Sequence, residues 1–155
     1  KMGREMQVEL TNMCMVCNGT RVLVQDRVKQ DWPGIAFPGG HVEPGESIVA
    51  SVIREVQEET GIAIGNPKLC GIKGRMQPGG SRYLVFLFKA DTFSGGLKPS
   101  AEGEVFWVEK DELLEMRLSP SVKEVFQLME DDRLSEMYNP DCINAVANGD
   151  SWVLL

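Results

Sequence analysis

One histidine and four cysteines are all that this 155-residue chain offers a soft metal. The cysteines are Cys14, Cys17, Cys70 and Cys142, and only Cys14-Met15-Val16-Cys17 has the C-x2-C spacing of a zinc or redox pair. No second pair and no H-x3-H partner accompanies it, and its flanks read as a strand. Buried thiols in a reducing compartment are therefore expected, with a zinc site using Cys70 or His41 as the weaker alternative. Long apolar runs are also missing: nothing approaches the ~20 residues of a membrane span. The opening KMGREMQVELTNM has no apolar signal core, so a cytoplasmic chain without a membrane partner is expected. Basic residues are scarce as well. Sixteen Lys and Arg stand against 23 Asp and Glu, a net charge of −7, which disfavours nonspecific binding to polymeric nucleic acid.

What is present is ordinary for a globular protein: 43% hydrophobic and 25% charged residues. This length predicts one domain over residues 1–155, with a real core. The informative stretch is Gly40 to Ile62, GHVEPGESIVASVIREVQEETGI. Pro44, Gly45 and Glu46 precede an apolar-periodic run and Gly61 follows it, so a loop feeds one helix. Ser47 or Glu46 is expected in its first turn, where an acceptor or a negative charge suits free N–H groups. Ile48, Val52 and Val56 recur every four residues, flanked by Val49 and Ile53, as one buried stripe. Glu55, Glu58 and Glu59 fall at i, i+3 and i+4 and crowd one side of the helix. Such like charges repel by ~0.2–0.5 kcal/mol per pair unless something compensates them. A hard divalent cation would do so, because Mg2+ prefers oxygen ligands and shares its shell with water and phosphate. The plain alternative for the triplet alone is a solvated acidic face.

Gly40, Glu46, Arg54, Glu55, Glu58, Glu59 and Gly61, with aliphatic Val56 and Ile62, match G-x5-E-x7-R-E-U-x-E-E-x-G-U without a departure. The chain thus resembles the Nudix hydrolases, which cleave nucleoside diphosphates linked to another group. The resemblance implies a mixed sheet held between helices, an α+β (mixed α/β) fold. It implies that Glu46 supports Arg54 and that Arg54 holds the catalytic glutamate, with Glu55 the preferred base. It implies further that Gly40, through its carbonyl, and Glu55, Glu58 and Glu59 hold Mg2+ (Mn2+ being the substitute). Homodimers are frequent among such proteins, and nothing in this sequence marks one.

The order of elements fits that resemblance from about Val8 to Glu130. Val8–Cys17 and Arg21–Arg27 read as strands joined by an Asn18-Gly19 turn. Ile35 to Gly40 reads as a short strand entering the motif, and Leu69–Met76, Arg82–Ala90 and Glu104–Val108 as further strands. A short helix is expected over Asp111–Met116 and a longer one over Pro120–Asp131, with Val122, Val125, Phe126 and Met129 as its core stripe. Residues 139–155 give weak signals; Trp152 to Leu155 docks or frays.

Outside the motif, relatives bring one more acidic ligand from a loop near Ser100–Glu104, which favours Glu102, with Glu104 in reserve. Arg27, Lys29, Arg75 and Arg82 are candidate phosphate or base contacts, each of a kind that more often only solubilises a surface. Trp32 is the preferred stacking aromatic because it sits in a loop, whereas Phe37, Tyr83 and Phe86 read as core. His41 reads as loop structure. The combined expectation is a Mg2+-dependent enzyme of the MutT-like kind that converts a nucleoside triphosphate, such as 8-oxo-dGTP, to the monophosphate and pyrophosphate. The alternatives are hydrolysis of ADP-ribose or another nucleoside-diphosphate sugar, and a non-catalytic nucleotide sensor. The retained box carboxylates argue against the sensor.

Overall fold

The computed structural model describes residues 3–28, 33–141 and 151–155. Its elements in chain order are β1 (Val8–Asn18), β2 (Arg21–Arg27), β3 (Gly34–Ala36), β4 (Gly39–His41), α1 (Ile48–Thr60), β5 (Ala63–Gly65), β6 (Lys68–Met76) and β7 (Arg82–Ala90). There follow β8 (Thr92–Ser94), β9 (Gly103–Glu109), α2 (Lys110–Leu113), α3 (Val122–Met129), β10 (Glu136–Asn139) and β11 (Val153–Leu154).

Among the described residues, nine of the strands form a mixed sheet along the path β11-β10-β6-β7-β1-β2-β3, with β4 on β1 and β9 on β2. The strand β1 is central. Its residues Val8 to Val16 run parallel to β7, while Thr11–Met13 pair with β4 and Cys17–Asn18 with β2. Strict alternation then divides the core in two, because successive side chains of a strand face opposite sides. Met15, Val22, Val24, Val85 and Leu87 pack with Val122, Val125, Leu128 and Met129 of α3. Cys14, Val16, Leu23 and Phe88 pack with Val52 and Val56 of α1. The result is an α+β sheet with helices on both faces.

The helix α1 begins and ends as its sequence dictates. Ser47 has extended backbone and its Oγ accepts from the Ala50 N–H at 3.0 Å, and Gly61 closes the helix at φ 82°. Thr60, Val56 and Val52 are buried, but Val49 is exposed and leaves the stripe. The reason is angular, since position 49 lies about 100° from position 48 around the helix.

Three other expectations are revised. The hairpin turn is Gly19-Thr20, because Asn18 still pairs with Arg21. The expected strand over 35–40 is split into β3 and β4 around Phe37-Pro38. The chain after α3 is not featureless: β10 adds parallel to β6 and β11 returns antiparallel to β10. The Leu155 N–H and C=O are both used, bonded to Glu136 and to the N–H groups of Ser135 and Glu136. This return brings Trp152 to the α3 face of the sheet. Trp32, Lys29 and Cys142 lie outside the described residues.

The three described cysteines are free thiols. Three positions on a strand is an odd step, so Cys14 and Cys17 point to opposite faces and the C-x2-C spacing makes no chelate. Burial pushes the Cys70 thiol up to about 11 and raises that of Cys17.

Candidate active site

Arg54 organises the acidic end of α1. Its Nη2 and Nε donate to the two carboxylate oxygens of Glu46 at 2.7 and 3.1 Å, a bidentate pair. Its Nη1 donates to Glu55 Oε1 at 3.1 Å and to Glu58 Oε1 at 3.0 Å. Nη2 also donates to the His41 carbonyl at 3.0 Å, which ties the helix to the end of β4. One guanidinium thus faces three carboxylates of the motif and the loop that leads into it. Hydrogen bonding to Arg54, with help from the Glu43 N–H, holds the Glu46 carboxyl below its usual range.

Glu55 and Glu59 lie on the buried side of this array. Glu55 has a side-chain exposure of 14%, against 57% for Glu58. Burial raises the Glu55 carboxyl, its contact with Glu58 adds to the rise, and Arg54 opposes it. Glu59 goes further, up to about 7: burial dominates, the Gly39 N–H at 3.1 Å pulls it down, and Glu55 and Glu102 push it up. Gly40 makes this packing possible. A Cβ there would overlap the Glu55 carboxylate, so the absence of a side chain is what lets the helix set a carboxylate against the β4 backbone. Asn12 braces the same junction from β1: it is buried, its Nδ2 donates to Ser51 Oγ at 2.8 Å, and its Oδ1 accepts from the Gly40 N–H at 3.3 Å.

These groups open into a cavity of about 520 Å3, within the range of small-molecule sites. Gly40, Glu55, Glu59 and Glu102 line one end; Glu102 is near enough to Glu59 to raise its pKa. The floor is the α3 face of the sheet, including Glu9, Thr11 and Met13 of β1, Tyr83 and Val85 of β7, and Lys73 and Arg75 of β6. Arg27 lines it too, and its buried Nε has no hydrogen-bond partner among the described residues. Arg75 lies over the Tyr83 ring at 4.8 Å.

Several expected residues fall elsewhere. Arg82 is 5.6 Å from the Tyr138 ring and does not line the cavity, because it sits one pleat position from Tyr83 and faces the opposite side of the sheet. Glu104 is exposed on β9, and Glu58 faces Arg54 outside the cavity wall. His41 is exposed and bonded to Glu9 at 2.7 Å. Sequence reasoning missed Glu9, Asn12, Lys73, Ser121 and Trp152. A polar Asn12 inside a run of buried strand residues was the one available signal.

Among the described residues, no three carboxylate, imidazole or thiol groups already stand together as an ion's ligands. The donor chemistry nevertheless suits a hard divalent cation, since carboxylates and the Gly40 carbonyl offer only oxygen. Burial is the main reason the Glu59 carboxyl is raised, and Glu55 and Glu102 add like charge that such an ion would offset.

A NUDIX domain model matches residues 9–129. The uncharacterized Nudix hydrolase YvcI of Bacillus subtilis (strain 168) is 32% identical over 121 residues, 75% of each chain. The human 8-oxo-dGDP phosphatase NUDT18 is 33% identical over 100 residues, which make up 60% of this chain but only 30% of that one. A crystal structure of a MutT protein from Bacillus halodurans matches with a TM-score of 0.76 at 32% identity, covering 94% of this chain and 97% of the other.

Two outcomes are expected from this geometry. Gly40→Ala should fold with an unchanged circular dichroism spectrum yet lose about 100-fold in kcat, the order expected for a 1 Å displacement of a reacting group. Wild-type turnover in that variant would mean that the Glu55–Gly40 contact has no catalytic part. In chelator-treated protein, Glu59 has a pKa of about 7 when folded against an ordinary 4.5. The folded chain then keeps a proton that the unfolded chain has released, so this group's contribution to stability is lost as pH rises from about 4.5 to about 7. Urea unfolding should show that loss, and Glu59→Gln should remove it; identical pH slopes in the two proteins would contradict the assignment.

Proposed function

The chain belongs to the NUDIX family of hydrolases acting on diphosphate bonds, and on that premise we propose that it is a Mg2+-dependent nucleoside triphosphate pyrophosphohydrolase. Its substrates in this reading are purine triphosphates, oxidised dGTP among them, and its products a nucleoside monophosphate and pyrophosphate. The observation that carries the reading is a cavity with a carboxylate-rich end, formed by Glu55, Glu59 and Glu102, and a floor that combines the Tyr83 ring, Met13 and Val85 with Lys73 and Arg75, which suits a cation-bound polyphosphate at one end and a nucleoside along the rest. The matches to a MutT protein and to an 8-oxo-dGDP phosphatase support the choice of substrate class.

In the proposed mechanism the chain's own groups divide the work. Glu55, Glu59, Glu102 and the Gly40 carbonyl, which line the carboxylate end, would hold the cation, with Glu58 reaching it from beside Glu55 outside the wall. When bound, Mg2+ would neutralise the diphosphate and stabilise the leaving phosphate. Glu55 takes the proton from the attacking water; burial has already raised its affinity for a proton. Arg54, fixed by Glu46, keeps the Glu55 carboxylate at its place over Gly40. Arg27, whose charge reaches Glu59, donates to phosphate oxygens at the carboxylate end, and Arg75, over Tyr83 on the β6 side of the floor, faces the nucleoside. His41 takes no direct step. A single domain and a cytoplasmic location remain part of this reading. No helix among the described residues is long and apolar enough to cross a membrane.

The test is product analysis with Mg2+ over dGTP, 8-oxo-dGTP, the other triphosphates, ADP-ribose and diadenosine tetraphosphate, with EDTA as the control. Pyrophosphate release from triphosphates, greatest for 8-oxo-dGTP and abolished by EDTA, is expected. Preference for ADP-ribose would replace this reading with nucleotide-sugar hydrolysis, and inactivity over the whole panel would replace it with a nucleotide-binding sensor.

A further inference from the structure

Lys73 is a half-buried lysine in the floor of the cavity, far from the carboxylates. Its place follows from register. Lys73 of β6 pairs with Val85 of β7, Val85 with Thr11 of β1, and Thr11 with His41 of β4. Three strand spacings, about 14 Å, therefore separate it from the Gly40–His41 edge where Glu55 and Glu59 gather. Its Nζ donates to Ser121 Oγ at 2.6 Å and stands 5.1 Å from the centre of the Trp152 ring. An ammonium has three hydrogens. Among the described residues, no second acceptor is bonded to this one.

The surroundings make that arrangement unusual for a structural lysine. Among the described residues, the one bonded partner of the Lys73 ammonium is the Ser121 hydroxyl, and no carboxylate is paired with it. Glu124 of α3 acts on it only at a distance, and Arg75, two positions along the strand, repels it. Burial is the largest influence and, with Arg75, brings the ammonium down to about 8. Arg75 has its own partners in Tyr83 and the field of Glu9, so the two cations do not form a joint site. Val85 is its cross-strand neighbour, Ser121 and Trp152 adjoin its Nζ, and Ser119, Pro120 and Val122 line the same cavity. A largely desolvated ammonium that a hydroxyl and an indole hold in place suits a neutral carbonyl oxygen better than a multiply charged phosphate, which costs more to desolvate.

We infer that Lys73, anchored by Ser121 and Trp152, is a specificity residue that donates to the 6-oxo edge of a purine, so that the enzyme selects guanine-type over adenine-type nucleotides. The inference rests on the proposed reading, in which the diphosphate occupies the carboxylate end and the base lies toward β6. Lysine donating to guanine O6 is a pairing that base chemistry supports elsewhere, because adenine places an amino group there. The 2-amino group takes no part in it, so hypoxanthine should bind as guanine does.

Calorimetric titration with dGMP, dIMP and dAMP reads this contact without turnover. The wild-type protein should bind dGMP and dIMP about 10-fold or more tighter than dAMP, the scale of one good base contact. Lys73→Met should erase that difference by weakening dGMP and dIMP while leaving dAMP within about 2-fold, and Lys73→Arg should keep most of it. Ser121→Gly, which suits the positive φ of 68° at that position, gives a second variant and should narrow the difference several-fold. Equal wild-type affinity for dGMP and dAMP would overturn the inference, as would an equal loss for all three nucleotides in Lys73→Met, the mark of a phosphate contact. The proposed function fails separately: Lys73-dependent dGMP binding without hydrolysis of any triphosphate would remove the hydrolase reading alone. Hydrolysis without base selection would remove this inference alone.

Discussion

The site depends on one guanidinium. Without Arg54, the carboxylates of Glu46, Glu55 and Glu58 would share a small volume with no cation between them, and only Glu46 would keep another donor, the Glu43 N–H. Each extra like charge on one helix face is unfavourable. Arg54 converts that repulsion into a fixed arrangement by donating to all three and to the His41 carbonyl. It leaves Glu59 outside the clamp, half-buried against Gly39, where burial above all, and then Glu55 and Glu102, raise its affinity for a proton. A residue in the middle of α1 therefore fixes the geometry of three acids, one on the loop before the helix and two on the helix itself.

The sheet supplies the other half of the design. Because β1 sits between β7 and β4, residues of one strand separate α1 on one face from the cavity on the other. Thr11 and Met13 floor the cavity while Cys14 and Val16 pack α1, and Asn12 joins the helix to Gly40. The same alternation assigns Tyr83 to the cavity and Arg82 to the opposite side. The cavity is finished by chain that comes last, since Ser121 precedes α3 and Trp152 precedes β11.

What could be read in advance was local. The helix α1, its Ser47 cap, its Gly61 end and the i, i+3, i+4 carboxylates all follow from spacing within one segment. Six of the strands declared themselves by apolar runs and turn residues. The signals failed where the determinant was distant. β10 and β11 have four and two residues and exist because β6 offers them an edge. Lys73 looks like any strand lysine until the register with Val85 and the return of Trp152 enclose it. Arg82 was equally plausible as a ligand contact by composition, and only its parity relative to Tyr83 removes it from the cavity. Gly40 lies between these cases: the motif marked it, but the reason, room for the Glu55 carboxylate, needed the packed structure.

The proposed function requires Arg54 to arrange oxygen ligands for a divalent cation at the carboxylate end of the cavity. Mn2+ binding followed by electron paramagnetic resonance tests it directly, in the wild-type protein and in Arg54→Lys. Lysine keeps the charge but cannot make the bidentate bond to Glu46 while also reaching Glu55 and Glu58. Mn2+ affinity about 10- to 100-fold weaker is expected in the variant, the range for losing a group that orients metal ligands, with an unchanged thermal midpoint in EDTA. Equal Mn2+ affinity in the two proteins would contradict it.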